Sequence, residues 1–431
     1  MANFARALPQ LGWDPYVLTL EEKYIEKQDA EKRRYVAGIK TVHAGHLPTL
    51  SDGYLRVKRW VHYWTREDQT QKGVQENLPR PQRDASCPEA NIEKWRRYLL
   101  SFLSLPDPQR SWMWPAVLKA VCLIRREKIQ VVVTSCPPYS GHLVGLIVAY
   151  LTGVRWIADF RDPWTTTGAK SLYYTCDVTK HIERGLERYV VRKADAIIAN
   201  THRLREALKT QYSNCHSSKF DCITNGYDEE FFSRYDTLKK DEIFTIIYAG
   251  TLYFGRTPEP IFQAMCELIG EGRLERSAMR MRFVGHCEQV EGKSIGDIVK
   301  AYGLEGVVEV LGAVSYINAI DMIRRSHLAL LLAPNQPYQI PAKVYDYIGA
   351  ETEILALANE GATRDLIRSS GIGGVFAPYD VKGMKEFIAD AYQRKSLSNV
   401  SERSVVRKCF GLRSITKSLV AQLEHVCGMR G

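Results

Sequence analysis

From Ile129 onward one short pattern recurs: a β-branched or apolar run, a turn marked by Gly or Pro, an apolar-periodic stretch, then another apolar run. Each return needs a helical crossover, so the strands must lie parallel, and a parallel sheet must be covered on both faces. Ile129 to Thr134 reads as a strand, Pro137-Pro138 as its turn, Ser140 as the cap of a helix through about Leu151, and Arg155 to Phe160 as the next strand. A helix from about Thr179 to Lys193 follows, then the strand Ala196 to Ala199, then Asn200-Thr201 capping a helix that carries Leu204 and Leu208.

Near residue 222 the strand-like Cys222-Ile223-Thr224 meets the turn Asn225-Gly226, and the polar stretch Ser233 to Glu242 places a domain boundary there. A fresh series then begins with Phe244 to Ala249 as strand, Gly250-Thr251-Leu252 as turn and Pro260 to Leu268 as helix. Met281 to Val284, Val307 to Leu311, Leu328 to Leu332 and Ile354 to Leu357 are its further strands. The expected fold class is therefore α/β, with two Rossmann-like doubly wound domains facing across a cleft. In such sheets ligands collect outside the carboxyl ends of the strands, where loops offer unpaired N–H groups. The expected division is an acceptor-side domain over residues 1–235, a nucleotide-sugar-binding domain over 236–410, and a helix over 411–431 that crosses back to the first domain.

The 431 residues suit two domains at ~100–200 residues each. Apolar residues at 45% and charged residues at 25% exclude intrinsic disorder and collagen-like repeats. Ten cysteines fall singly, with no Cys-x-x-Cys, which argues against structural zinc and a disulfide scaffold and for a reducing, cytoplasmic compartment. Val131 to Val154 holds no charged residue, yet Pro137-Pro138 interrupts it, so no transmembrane helix is expected. Neither a signal peptide nor a presequence is read at Met1.

The net charge of +10 is concentrated: residues 1–130 hold 22 basic and 15 acidic residues together with six of the eight tryptophans. Cations interleaved with Trp suit an anionic partner that also presents apolar surface. Lys94-Trp95-Arg96-Arg97-Tyr98-Leu99-Leu100-Ser101-Phe102-Leu103 is the sharpest case, either an interfacial helix at an anionic membrane surface or an amphipathic helix packed on its own domain. Residues 35–115 are otherwise expected to form a long, partly irregular insertion. Nucleic acid is not an expected partner, because the charge is dilute and no binding motif occurs.

Chemistry gathers at strand ends. Trp156-Ile157-Ala158-Asp159-Phe160-Arg161-Asp162-Pro163-Trp164 places three charges where a buried strand emerges. Charges there cost desolvation unless paired or used, so either Arg161 pairs with Asp159 or Asp162 to lock the turn, or the three line the cleft. This run, with Ser135-Cys136-Pro137-Pro138-Tyr139-Ser140 before it and Asn225-Gly226-Tyr227-Asp228 after it, resembles the family-4-like glycosyltransferases of the GT-B fold, also called the glycosyl transferase group 1 type. The likeness continues through Tyr248-Ala249-Gly250-Thr251-Leu252, Phe283-Val284-Gly285 and Ile340-Pro341-Ala342-Lys343-Val344-Tyr345-Asp346-Tyr347.

The resemblance implies transfer of a sugar from a nucleotide diphosphate sugar, held by the C-terminal half, to an acceptor held by the N-terminal half; the basic, Trp-bearing N-terminal half points to a glycan or polyprenyl-linked acceptor in cell-surface polysaccharide synthesis. The resemblance also implies a retaining enzyme without metal or other cofactor; the dispersed cysteines place it in the cytoplasm, and the basic, Trp-bearing N-terminal half suggests a peripheral place at the inner face of the plasma membrane. The departing diphosphate gains negative charge and needs fixed cations and N–H donors. Arg256 and Lys343 are the candidate cations, Gly250, Thr251 and Gly285 the close-approach loop residues, and Asp346 the carboxylate for the donor ribose. Asp159, Arg161 and Asp162 are the acceptor-side catalytic candidates.

Three departures accompany the likeness. Relatives often carry two glutamates with seven residues between them, whereas this chain has Asp346 at the second position and Tyr338 eight residues earlier, so the first acid is absent. Arg161 stands where many have His, and a guanidinium with a pKa above ~12 serves as a clamp and not as a base. Relatives begin with a strand and a Gly-rich turn, while this chain opens in a helix, Asn3 to Leu11, followed by the strand Tyr16 to Leu20. The innermost strand of the first sheet is therefore expected to lie upstream of Met1. A GT-B sugar-nucleotide epimerase and a non-catalytic nucleotide-binding remnant are the alternative functions.

Overall fold

The computed structural model describes residues 1–24, 38–47, 98, 101–103, 105–166, 176–234, 239–252, 255–395 and 403–428. Lys94 to Arg97, Leu99 and Leu100, most of the 35–115 insertion and part of the Ser233–Glu242 stretch lie outside them. By its contacts the chain forms two compact units, Pro15–Ile197 and Met1–Asp14 with Ile198–Gly428.

The chain opens in α1 (Ala2–Ala7), which passes into a 3-10 turn over Leu8–Leu11. Pro9 lacks the N–H that an α-helical turn would use, which shortens the helix expected through Leu11. In the unit Pro15–Ile197, β1 (Tyr16–Leu20) pairs in parallel with β2 (Lys40–Ala44), Tyr16 opposite Lys40. There follow α2 (Met113–Glu127), β3 (Val131–Cys136), α3 (Ser140–Thr152), β4 (Arg155–Phe160), α4 (Asp177–Lys193) and β5 (Ala196–Ala199), the last of which carries the boundary between units. β3 and β4 run parallel from Val131 opposite Arg155 to Cys136 opposite Phe160.

Ser140 does not cap α3 as its position suggested. Tyr139 is the N-cap and supplies no side-chain bond. The carboxylate of Asp107 does the work instead, accepting the Ser140 N–H at 2.6 Å and its hydroxyl at 3.0 Å. A full negative charge satisfies an orphan donor and meets the positive end of the helix, which a hydroxyl already inside the helix does not do. Gly145 lets α3 lie directly on β4, since a Cβ there would stand 2.4 Å from the Trp156 indole nitrogen.

Among the described residues β1 pairs only with β2, and no strand occupies the edge of β3 away from β4. Yet Leu18 of β1, Ala44 of β2 and Val132 of β3 all pack under the same helices, against Val117 and Ile124 of α2 and Val144 and Val148 of α3.

In the second unit α5 (His202–Gln211) starts as read, with the Thr201 hydroxyl accepting the Leu204 N–H at 3.1 Å, and β6 (Phe220–Cys222) follows. Beyond it lie β7 (Phe244–Ala249), α6 (Glu259–Gly270), β8 (Met279–Val284), the small hairpin of β9 (Gln289–Val290) and β10 (Lys293–Ser294), and α7 (Ile295–Ala301). Then come β11 (Val308–Val310), α8 (Tyr316–Arg325), β12 (Leu328–Leu332), α9 (Lys343–Gly349), β13 (Glu353–Leu357), α10 (Ala362–Ser370), β14 (Gly373–Phe376), α11 (Val381–Arg394) and α12 (Leu412–Gly428). Six of these strands form one parallel sheet in the order β11-β8-β7-β12-β13-β14.

Alternation along the strands splits the core into two layers. Phe244, Ile246, Tyr248 and Leu330 face one layer with Phe262 of α6, while Ile247, Ala329 and Leu331 face the other with Tyr345 and Tyr347 of α9. α12 packs on α1 and the Leu8–Leu11 turn, and it is tied by Gln422 to Asp221 at 2.6 Å. The Tyr227 N–H donates to the Phe410 carbonyl, and the Leu412 N–H donates back to that of Tyr227.

Candidate functional site

The loops after β7 and β8 are built on two glycines in the left-handed region. Gly250 has φ of 135° and Gly285 φ of 115°. A Cβ on Gly285 would stand 2.3 Å from the Gly250 carbonyl oxygen, and one on Gly250 would stand 2.6 Å from the ammonium of Lys343. The missing side chains thus bring a bare backbone turn up against a cation, which is what close approach to a phosphate needs. The Gly250 N–H donates to the Val284 carbonyl at 2.7 Å, the Gly285 N–H donates to the Gly312 carbonyl at 2.6 Å, and the buried Cys287 thiol donates to the Gly250 carbonyl at 3.1 Å. The two turns are thereby locked together.

Lys343, the first residue of α9, holds its ammonium over the Tyr248 ring at 4.2 Å from the centroid. No carboxylate oxygen of the described residues lies within ion-pair distance of it. Its pKa falls to about 8, first through burial and next through the positive charge of Arg256, against the pull of Cys287 and Asp346. The Arg256 charge is thus near enough to act on Lys343. Asp346, one turn further along α9, accepts the Tyr316 hydroxyl at 2.7 Å. Burial lifts its pKa to about 6, while the Tyr316 bond and Lys343 hold it down. Arg256 is half-buried, and its loop is anchored where the Gly255 N–H donates to Glu291 at 3.1 Å. Thr251 is half-buried, and its carbonyl accepts the Tyr248 hydroxyl at 2.8 Å.

Of the residues read from the sequence, Gly250, Thr251, Arg256, Gly285, Lys343 and Asp346 thus come together in one unit. Tyr316, Tyr248 and Cys287 complete the place and were not read from the sequence. Tyr248 lay inside an apolar run, and Tyr316 lies 30 residues before the carboxylate it binds. No local spacing signals that pairing.

Asp159, Arg161 and Asp162 form a separate cluster in the unit Pro15–Ile197. Asp159, at 1% exposure, accepts the Arg161 Nε–H at 2.8 Å. The Arg161 backbone N–H donates to the Cys136 carbonyl and so extends the pairing of β3 with β4. The loop beyond is closed by the Tyr139 hydroxyl donating to the Pro163 carbonyl at 2.8 Å, by Trp164 stacked on Tyr139, and by the Thr165 N–H donating to Glu187 at 2.7 Å. Asp162 is half-buried beside them. Burial, with Asp159 close by, pushes the Cys136 thiol up and keeps it protonated. Among the described residues no group of three or more His, Cys, Asp and Glu gathers to hold a metal ion.

Residues 74–231 match the family model described as Glycosyltransferase Family 4. No curated protein is matched by the chain. Among solved structures it is similar to a glycosyltransferase from Rickettsia africae, at 11% identity and a TM-score of 0.57 over 98% of this chain and 93% of that one. It is also similar to sucrose-phosphate synthase from Thermosynechococcus elongatus, at 12% identity and 0.59 over 98% and 91%. The HepE protein of Anabaena in complex with UDP matches at 14% identity and 0.56 over 72% and 82%. The fold is that of the GT-B glycosyltransferases, and the chain resembles their family-4-like branch, as its motifs indicated.

Proposed function

We propose that this chain transfers a sugar from a nucleotide diphosphate sugar, with residues 236–410 holding the donor, to a glycan or polyprenyl-linked acceptor in cell-surface polysaccharide synthesis. One observation carries the donor half: Lys343, its pKa lowered to about 8 by burial and by Arg256, lies over the bare backbone of Gly250. Arg256 and Lys343 repel each other beside a glycine turn, and a bound anion relieves that repulsion. A diphosphate supplies that anion, and its charge grows as the sugar leaves, so the cations stabilise the transition state more than the ground state. Asp346, held by Tyr316, would accept hydrogen bonds from the ribose. The reaction we propose is retaining and needs no metal, because Lys343 and Arg256 meet the developing charge. Arg161 and Asp162 would orient the acceptor, with Asp159 holding Arg161.

HepE was solved with UDP, which makes uridine diphosphate the first ligand to test. Calorimetric titration of UDP into the wild-type chain should give saturable binding that Lys343→Ala and Arg256→Ala each weaken. A panel of nucleoside diphosphates with no saturable binding would reject the donor site.

A further inference from the structure

Three successive carbonyls of the loop between β12 and α9 are each taken by a donor from outside the loop. The Pro337 carbonyl accepts the Ala362 N–H at 2.9 Å, the Tyr338 carbonyl accepts the Thr201 hydroxyl at 2.7 Å, and the Gln339 carbonyl accepts the Thr363 hydroxyl at 3.1 Å. Thr201 and Thr363 are buried, so water competes poorly for either bond. A surface loop ordinarily leaves its carbonyls to water, and three in a row held by protein donors fix the backbone at that place.

The donors come from two helix starts within the unit that holds the donor site. Thr201 is the N-cap of α5, and Thr363 is the second residue of α10. The same two helices are joined directly, because Asp365 of α10 accepts both the Nε–H and the Nη2–H of Arg203 of α5. Thr201 spends its hydroxyl twice, accepting the Leu204 N–H and donating to the loop. A cap needs only the accepting half, so the donated proton serves the loop. Thr363 lies inside its helix and serves no cap.

The loop leads straight into Lys343. Ile340, Pro341 and Ala342 alone separate the last held carbonyl from it, and Pro341 brings a fixed φ. Ala342, the N-cap of α9, supplies no side-chain bond of its own. We infer that Thr201 and Thr363 are positioning residues for the donor site, their hydroxyls holding the loop backbone and so keeping the Lys343 ammonium over Tyr248 and against the Gly250 turn. The use of Lys343 rests on the donor site proposed above, whereas its placement does not.

The first measurement therefore needs no ligand. Competitive labelling of the full chain with acetic anhydride across pH, read by mass spectrometry at Lys343, follows the ionisation of its amine. The wild type should titrate near 8, since burial and Arg256 hold the amine down against Cys287 and Asp346. Thr201→Val and Thr363→Val should each move the midpoint up toward 10.5, because an ammonium released from its place regains water. By calorimetry each should weaken UDP roughly two- to tenfold, the worth of one hydrogen bond. Thr201→Ser and Thr363→Ser keep the hydroxyl and should keep both wild-type values. A hydroxyl that merely secured the fold would lower the melting temperature and leave the Lys343 midpoint in place. An unmoved midpoint in both valine variants overturns the inference, and so does a serine variant that shifts it as far as valine does. Should Thr201→Val fail to fold through loss of the α5 cap, Thr363→Val decides. Wild-type protein that binds no nucleoside diphosphate rejects the donor site, and the labelling still decides the role of the two threonines.

Discussion

Asp159 and Lys343 are both charged residues set against the end of a buried parallel strand, and their surroundings treat them oppositely. Asp159 is closed into an ion pair with Arg161, whose own backbone continues the sheet. Lys343 is left with an aromatic face and a second cation, at a pKa of about 8. A charge completed by its own protein secures the fold. A charge left under repulsion is the one we propose to meet the donor diphosphate.

The largest effect that would break this contrast is at Asp159. Asp159→Ala removes the carboxylate that holds a largely buried guanidinium and should cost about 3–5 kcal/mol in urea unfolding, while Asp159→Leu with Arg161→Met should recover most of it. Lys343→Ala should leave the fold intact and weaken UDP by roughly 10–150-fold, the worth of charge-assisted hydrogen bonds. Were Lys343→Ala to unfold the chain and Asp159→Ala to leave it unchanged, the two roles would be exchanged.

Titration sharpens the same contrast. Lys343 falls from 10.5 to about 8 on folding, so its contribution to stability is present above 10.5 and lost as the pH falls through 8. Asp346 rises from 3.8 to about 6, so its contribution is present below 3.8 and lost as the pH rises through 6. Both groups therefore burden the ligand-free protein at neutral pH, and Lys343→Met should raise its melting temperature while abolishing the stabilisation that UDP brings. UDP affinity should plateau between about 6 and 8 and fall on either side, measured by calorimetry across pH, with Lys343→Arg removing the alkaline limb. The smallest effect is expected at Tyr316. Tyr316→Phe removes one hydrogen bond to Asp346, lifts that carboxyl further, and should weaken UDP two- to tenfold at most, about 0.5–1.5 kcal/mol, while moving the acid limb to higher pH.

Buried parallel strands were legible because both of their faces are apolar. Arg155–Phe160, Ala196–Ala199, Phe244–Ala249 and Leu328–Leu332 stand where largely apolar runs placed them. β14 escaped because Gly373-Gly374 reads as a turn. In the fold these glycines let β13 approach, a Cβ on Gly373 standing 2.0 Å from the Ile354 carbonyl oxygen. Ser140 looks like a cap from its neighbours in sequence, whereas the carboxylate that satisfies it, Asp107, reaches it from 33 residues away.

Order along the chain, then, determined the α/β alternation, the strand ends where charges emerge, and the residues Gly250, Lys343 and Asp346, since hydrophobic periodicity and turn chemistry act over a few residues. Tertiary structure alone decided which charges are spent and which are held. Arg161 finds its carboxylate two residues away, Lys343 finds Arg256 across 87 positions, and α4 faces its glutamates inward and its arginines out. Burial and electrostatic repulsion act through space, and only the folded chain brings those partners within reach.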